Sequence, residues 1–365
     1  MPRRAVLFGN TTRYQRVHCP LKMEKLLFFS AAVALLFSAP TSAVRAPLYG
    51  FSNVTGLISV DPATGKATPI GSPVPTELEA QQLSAIDVAR NRLYMSGFSE
   101  RTKNVNILGF DLSTGDVAVT IELPFAPDGL VGVGTYIDVD PATGDLYATG
   151  PEWRIGSKGE RHVVLRIDAA NPTADPTAVG VIPKGLDVLG GDSTFDSKNR
   201  IVWCFFGAPE KDRSDSGIDL FGVHVDSGEV ETLQTAAWGG YGLTTLNFDA
   251  STERIYGLSL RSGNATAGEP SSVRQLLFID ANDSSREVQL AGEQSNYILQ
   301  AATIATIDEG ARLHLSYMQP LTNSSDPLAD PFSLVAIDAD TGAVVDAQQV
   351  NDYFSLPSSL EAYNQ

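Results

Sequence analysis

The chain is 365 residues long, with 43 Asp and Glu against 26 Lys and Arg, a formal net charge of −17 and 43% hydrophobic residues. Low-complexity disorder needs fewer apolar residues, collagen needs a strict glycine period, and a cysteine-stapled miniature needs far more than the 2 cysteines present, so these classes fall away. The acidic balance also argues against a nucleic-acid partner, because phosphate binding draws on clustered Lys and Arg.

The first legible element is an address. Leu26–Phe37 (LLFFSAAVALLF) is an apolar run preceded by Lys22 and Lys25 and followed by Ala39-Pro40-Thr41-Ser42-Ala43. A basic start, a greasy middle and small residues before a cut are the three parts of a secretory signal. The run is shorter than the ~20 apolar residues that span a bilayer comfortably. Residues 1–43 therefore read as a leader cut after Ala43, with Met23 as an alternative start. Residues 44–365 read as one secreted, extracellular domain, monomeric and without a membrane span. Loss of the leader removes Arg3, Arg4, Arg13, Arg16, Lys22 and Lys25 against Glu24 alone, so the mature form is more acidic still. Cys19 leaves with it, and Cys204 then has no partner for an intrachain disulfide. Sequons at Asn53, Asn264, Asn282 and Asn323 mark these residues as candidate glycosylation sites on surface loops.

Beyond the leader the chain repeats itself six times. An apolar strand ending in Asp and a turn occurs at Asp61, Asp111, Asp168, Asp226, Asp280 and Asp338. A second marker keeps the same beat: Leu48-Tyr49-Gly50, Leu93-Tyr94-Met95, Leu146-Tyr147-Ala148, Ile201-Val202-Trp203, Ile255-Tyr256-Gly257 and Leu313-His314-Leu315. A third, a short strand ending in Asp87, Asp140, Asp196, Asp249 or Asp308, lies just upstream of the second. Its sixth copy is assigned to Leu360-Glu-Ala-Tyr363-Asn364, ahead in register of Leu48-Tyr49. The unit at 83–121 shows four strands: Leu83–Asp87, Leu93–Gly97, Asn106–Phe110 and Val117–Ile121. No helix-length apolar stripe of period 3.6 is legible in the mature chain. Four antiparallel strands repeated radially six times make an all-β, six-bladed β-propeller, closed by pairing the C-terminal strand with the first three.

The phrases Ile-Asp-x-x-Thr-Gly and x-x-x-Arg-Leu-Tyr resemble those of quinoprotein-type and YVTN-like propellers and, more loosely, of NHL and TolB-like repeats. The resemblance covers nearly all of the mature chain. It implies fold rather than activity, because the shared residues encode turns.

Turn chemistry gives the repeated aspartates a structural role, since a short polar side chain bonds backbone N–H groups two residues on. The opposite face carries the long loops between second and third strands, 99–105, 151–162, 208–219, 261–274 and 319–332, where binding surfaces form. Blade connections on that face carry Phe125, Trp238, Tyr241, Tyr297, Tyr353 and Phe354. These are either aromatic plates for a sugar, cationic peptide or amine, or wedges between blades. His162, His224 and His314 lie in or beside strands with no second metal ligand nearby in sequence. Cys204 sits in the buried-strand run Ile-Val-Trp-Cys-Phe-Phe and reads as an inert thiol. No nucleophile elbow, phosphate loop or zinc-protease motif is present.

Two functions remain. The first is a binding or interaction module working through the long-loop face on a protein, peptide or carbohydrate ligand, with no catalytic residue, cofactor or metal. The second is a channel-site hydrolase or lyase similar to lactonase and strictosidine-synthase-like propellers, some of which hold metal with Glu, Asn and Asp. The innermost strands here offer Asp138, Asp192, Asn247 and Glu361, oxygen ligands that suit calcium. Their offsets from the turn residues differ, so only part of the set is expected on one face. A quinone redox role is suggested by the repeat resemblance alone.

Overall fold

The computed structural model describes residues 45–52, 55–73, 78–99, 104–123, 136–151, 162–182, 191–206, 218–235, 243–262, 266, 272–283, 287–294, 297–298, 305–320, 332–350 and 359–364. The leader, the cleavage point, Asn53, Asn264 and Asn323, and the aromatics Phe125, Trp238, Tyr241, Tyr353 and Phe354 lie outside them. Blade 1 comprises β1 (Leu48–Ser52), β2 (Gly56–Val60) and β3 (Ala67–Pro69). Blade 2 comprises β4 (Leu78–Asp87), β5 (Arg92–Ser99), β6 (Asn104–Asp111) and β7 (Val117–Leu123). Blade 3 follows with β8 (Tyr136–Val139), β9 (Leu146–Pro151), β10 (His162–Ile167) and β11 (Thr177–Ile182). Blade 4 has β12 (Gly191–Asp196), β13 (Ile201–Phe206), β14 (Ile218–His224) and β15 (Val230–Thr235). Blade 5 has β16 (Leu243–Asp249), β17 (Arg254–Ser262), β18 (Ser272–Asp280) and β19 (Val288–Gln294). After the short β20 (Tyr297–Ile298), blade 6 has β21 (Ala305–Asp308), β22 (Leu313–Pro320), β23 (Ser333–Asp338) and β24 (Val344–Gln349). Finally β25 (Ser359–Ala362) returns to pair antiparallel with β1, Leu48 facing Ala362, and completes blade 1. The fold is a six-bladed β-propeller, sealed by its own tail.

The reason for near-continuous apolar strands is that each sheet is covered on both faces. In β13, Ile201, Trp203 and Phe205 pack toward blade 5, while Val202 and Cys204 pack toward blade 3. Six hydrophobic clusters result, one at each junction between successive blades. Outer strands face solvent on alternate positions, as the exposed residues of β7 and β24 show.

Turns repeat as faithfully as strands. The carboxylates of Asp61, Asp111, Asp168, Asp280 and Asp338 each accept a backbone N–H two residues on, at 2.8–3.1 Å. Asp140, Asp196 and Asp249 do the same after inner strands, and Asp87 and Asp308 accept from three residues on. Asp226 departs from the expected series. Gly228 N–H donates to His224 O, the bond that Gly65, Gly115 and Gly342 make to Asp61, Asp111 and Asp338. The matched position in blade 4 is therefore His224, and Asp226 instead holds Arg200 at 2.7 Å.

Register corrects two further expectations. The inner strands pair Ala85 with Tyr94, Asp138 with Tyr147, Asn247 with Tyr256 and Glu361 with Tyr49, but Thr194 with Trp203 and Thr306 with Leu315. The second marker thus sits one residue further on in blades 4 and 6, because the slot asks only for a large apolar side chain. At the tail, Tyr363 N–H bonds Pro47 O, and Leu48 pairs with Ala362 as Leu93 does with Ile86. Tyr363, not Asn364, therefore occupies the place of Asp87. The strands of blade 2 are also longer than expected, since both ladder ends continue pairing past the apolar core.

Candidate functional site: the central channel

Inner strands of a propeller are edge strands, with backbone N–H groups that have no partner in their own sheet. This chain satisfies them with side chains from the preceding blade. Thr194 Oγ1 accepts Phe248 N–H at 2.9 Å, Thr306 Oγ1 accepts Ala362 N–H at 3.0 Å, and Asp192 Oδ2 accepts Leu246 N–H at 2.7 Å. Asp138 takes Phe195 N–H in the same way. The accepting residues lie two or four places before the turn, so strand alternation turns them all toward the next blade.

With Tyr363 as the turn residue, Glu361 is also two places before its turn. Asp138, Asp192, Asn247 and Glu361 consequently share one face parity, and the expectation that they divide is overturned. They line one cavity of about 190 Å³ with Ser84, Ser193 and Thr194, walled by Ile86, Phe195 and Phe248. Two serines missed in the sequence complete the polar lining. Ser193 Oγ–H donates to Asp138 at 2.5 Å, and Ser84 Oγ–H donates to Glu361 at 2.8 Å. Both stand three residues before their turn aspartates, Asp87 and Asp196, and that shared offset is the signal that could have found them. Asn247 Nδ2 is buried with no hydrogen-bond partner among the described residues.

Burial sets the electrostatics. It pushes Asp138 up to about 7, with the Ser193 and Phe195 hydrogen bonds opposing. Burial, with the charge of Asp138 for Asp192 and of Asp192 and then Asp138 for Glu361, pushes both of these up to about 8. At neutral pH Asp192 and Glu361 are therefore largely protonated, able to donate as well as accept, while Asp138 is about half so. Among the described residues, no three His, Cys, Asp or Glu side chains gather as ligands of one metal ion.

The turn face behaves differently. Arg200 spans Asp140 at 2.8 Å and Asp226 at 2.7 Å, and Arg312 joins Asp249 to Asp340. Although burial works against it, the Arg200 contacts hold Asp140 below the usual carboxylate range. These carboxylates are committed to guanidinium partners and clamp blade to blade. Of the histidines, His224 lies 3.3 Å from Glu231, and His162 and His314 are buried. Cys204 is fully buried and its thiol is pushed far up by burial, as an inert thiol should be. Tyr297 lies in β20, paired with Pro320. Asn282 is exposed in the turn after β18, its side-chain amide donating to Glu253.

No protein-family model matches the chain, and no curated protein matches it. Solved structures do. A chain of a nidogen/laminin complex superposes with a TM-score of 0.55 at 12% identity, covering 87% of this chain and 97% of that one. A protein described as a 6-phosphogluconolactonase of Bacteroides uniformis gives 0.49 at 13% identity, covering 84% and 83%. A protein described as TolB of Agrobacterium tumefaciens gives 0.47 at 11%, covering 86% and 92%. The likeness is one of fold.

Proposed function

We propose that this protein is a secreted binding propeller whose central channel captures a small cationic ligand, such as a protonated amine, with the long loops engaging whatever carries it. The observation that supports this reading is the carboxyl trio of buried Asp138 and half-buried Asp192 and Glu361, which has no cationic side chain among the described residues lining the channel. Three carboxyls within range of one another's charge repel when ionised, and an arriving cation relieves that repulsion. The net charge of −17 draws cations toward the molecule. Because Asp192 and Glu361 start largely protonated, binding a cation at pH 7 releases protons.

Titration calorimetry in two buffers of different ionisation enthalpy tests this with agmatine, calcium and a neutral monosaccharide. Proton release with agmatine, lost in Asp192→Asn/Glu361→Gln, is the expected outcome. Sugar binding without proton transfer, or no heat with any ligand, overturns it; calcium binding alone would make the channel a metal site instead. The second reading, a channel hydrolase, draws on carboxyl pKa values near 7 and 8, which suit general acid–base work at neutral pH. Turnover of lactone or ester substrates that disappears in Asp138→Asn would favour it.

A further inference from the structure

At the junction of blades 5 and 6 the apolar pattern fails on both sides at once. On β18, Leu276 and Phe278 belong to the hydrophobic cluster of that junction, and Arg274, two residues earlier on the same face, is fully buried with them. On β22, Met318 belongs to the same cluster, and strand alternation turns Ser316 and His314 the same way. His314 and Ser316 are also fully buried. His314 holds the position that is Leu48, Leu93, Leu146, Val202 or Ile255 in the other blades, where each is core. Arg274 Nε, Nη1 and Nη2, both ring nitrogens of His314 and Ser316 Oγ all lack hydrogen-bond partners among the described residues.

A buried guanidinium with no counter-charge, as Arg274 is among the described residues, is one of the costliest arrangements a core can hold. Burial lowers Arg274 to about 9, so it is still charged at neutral pH. Burial and then the Arg274 charge push His314 down to about 3, so the imidazole is neutral and keeps one N–H to donate. Among the described residues, the side chains meeting here thus supply a positive charge and donors, and no carboxylate.

We infer that the junction of blades 5 and 6 is a binding site for a small inorganic anion of chloride size, held by Arg274, His314 and Ser316 and acting as a mortar between the two blades. A small ion is indicated because all three side chains are sealed from solvent. The anion supplies the missing charge and accepts from all three groups.

The test is thermal melting of the full chain across chloride concentrations, with ionic strength held constant by gluconate, which is too bulky for the site. A ligand that binds only the folded state raises the midpoint by mass action. The wild type should gain several degrees as chloride replaces gluconate. Arg274→Met should melt at a chloride-independent temperature, and His314→Leu should respond more weakly than wild type. A wild type indifferent to chloride, or an Arg274→Met with the wild-type response, overturns the proposal. Should Arg274→Met fail to fold, crystals of the wild type grown in bromide decide. An anomalous peak within hydrogen-bond reach of the guanidinium supports the site, and its absence, or ordered water there instead, overturns it.

Discussion

Asp192 and Glu361 sit in the channel as acids whose folded pKa, about 8, stands well above that of an exposed carboxyl. A raised folded pKa means that the native state holds protons the unfolded chain has lost, so this stability is complete below about pH 4 and disappears as pH rises through about 8. The opposite group, with Asp61, Asp140 and Asp340 lowered, loses its contribution only as pH falls below the ordinary carboxylate range. Melting temperature should therefore fall between pH 5 and pH 8, at about the values where the channel acids ionise. Asp192→Asn should flatten that slope and melt higher than wild type at pH 8. Calorimetric scans across the range check this, and a wild type flat from pH 5 to 8 contradicts the burial of these acids. Their residue types and strand were legible in the sequence. Their common face was not, because the tail offers both Tyr363 and Asn364 as the turn residue, and only the ladder to Leu48 chooses between them.

An inner strand shows what sequence pattern can and cannot carry at the scale of an element. Its existence was plain from a short apolar run ending in Asp. Its bond to the next blade was invisible, since Thr194 and Phe248 are 54 residues apart and meet only when the blades stand side by side. Thr194→Val keeps the shape and removes the acceptor, leaving the Phe248 N–H without its partner. A loss of about 1–2 kcal/mol is expected in denaturant unfolding, against a near-neutral result for Thr68→Val on the outer strand. The aromatic slot of the second strand illustrates the converse. Tyr94 and Trp203 lie over Gly109 and Gly222, where an added Cβ would come within 2.7 and 2.8 Å of the ring. The pairing of a large ring with a bare backbone is fixed by register, and so it was not read from a motif that slid by one residue in blade 4.

Residues 45–364 form a ring of six hydrophobic junctions, and Cys204, the one cysteine among the described residues, is buried and free. Closure depends on β25, which supplies the inner strand of blade 1 and, through Leu360 and Ala362, part of the junction with blade 6. Deleting residues 359–365 should expose the edge of β1 and open that junction. The expected outcome is a broad, non-cooperative melt and concentration-dependent association on size-exclusion chromatography, with the sharp transition restored by the wild-type chain alone. A truncated chain that melts as the full one does would show that the ring does not need its seal.

The sequence by itself determined the six-fold repeat, the four-stranded unit, the turn aspartates other than Asp226, and the closing strand. Each is encoded within a few neighbouring residues, by alternation of apolar side chains and by short polar groups that bond their own turn. Only the tertiary structure decided that four channel residues share one face, that two serines hold two of the carboxyls, and that Arg274 meets His314 in a sealed junction. Those facts join residues tens or hundreds of positions apart, and a local pattern has no means of recording which blade stands next to which.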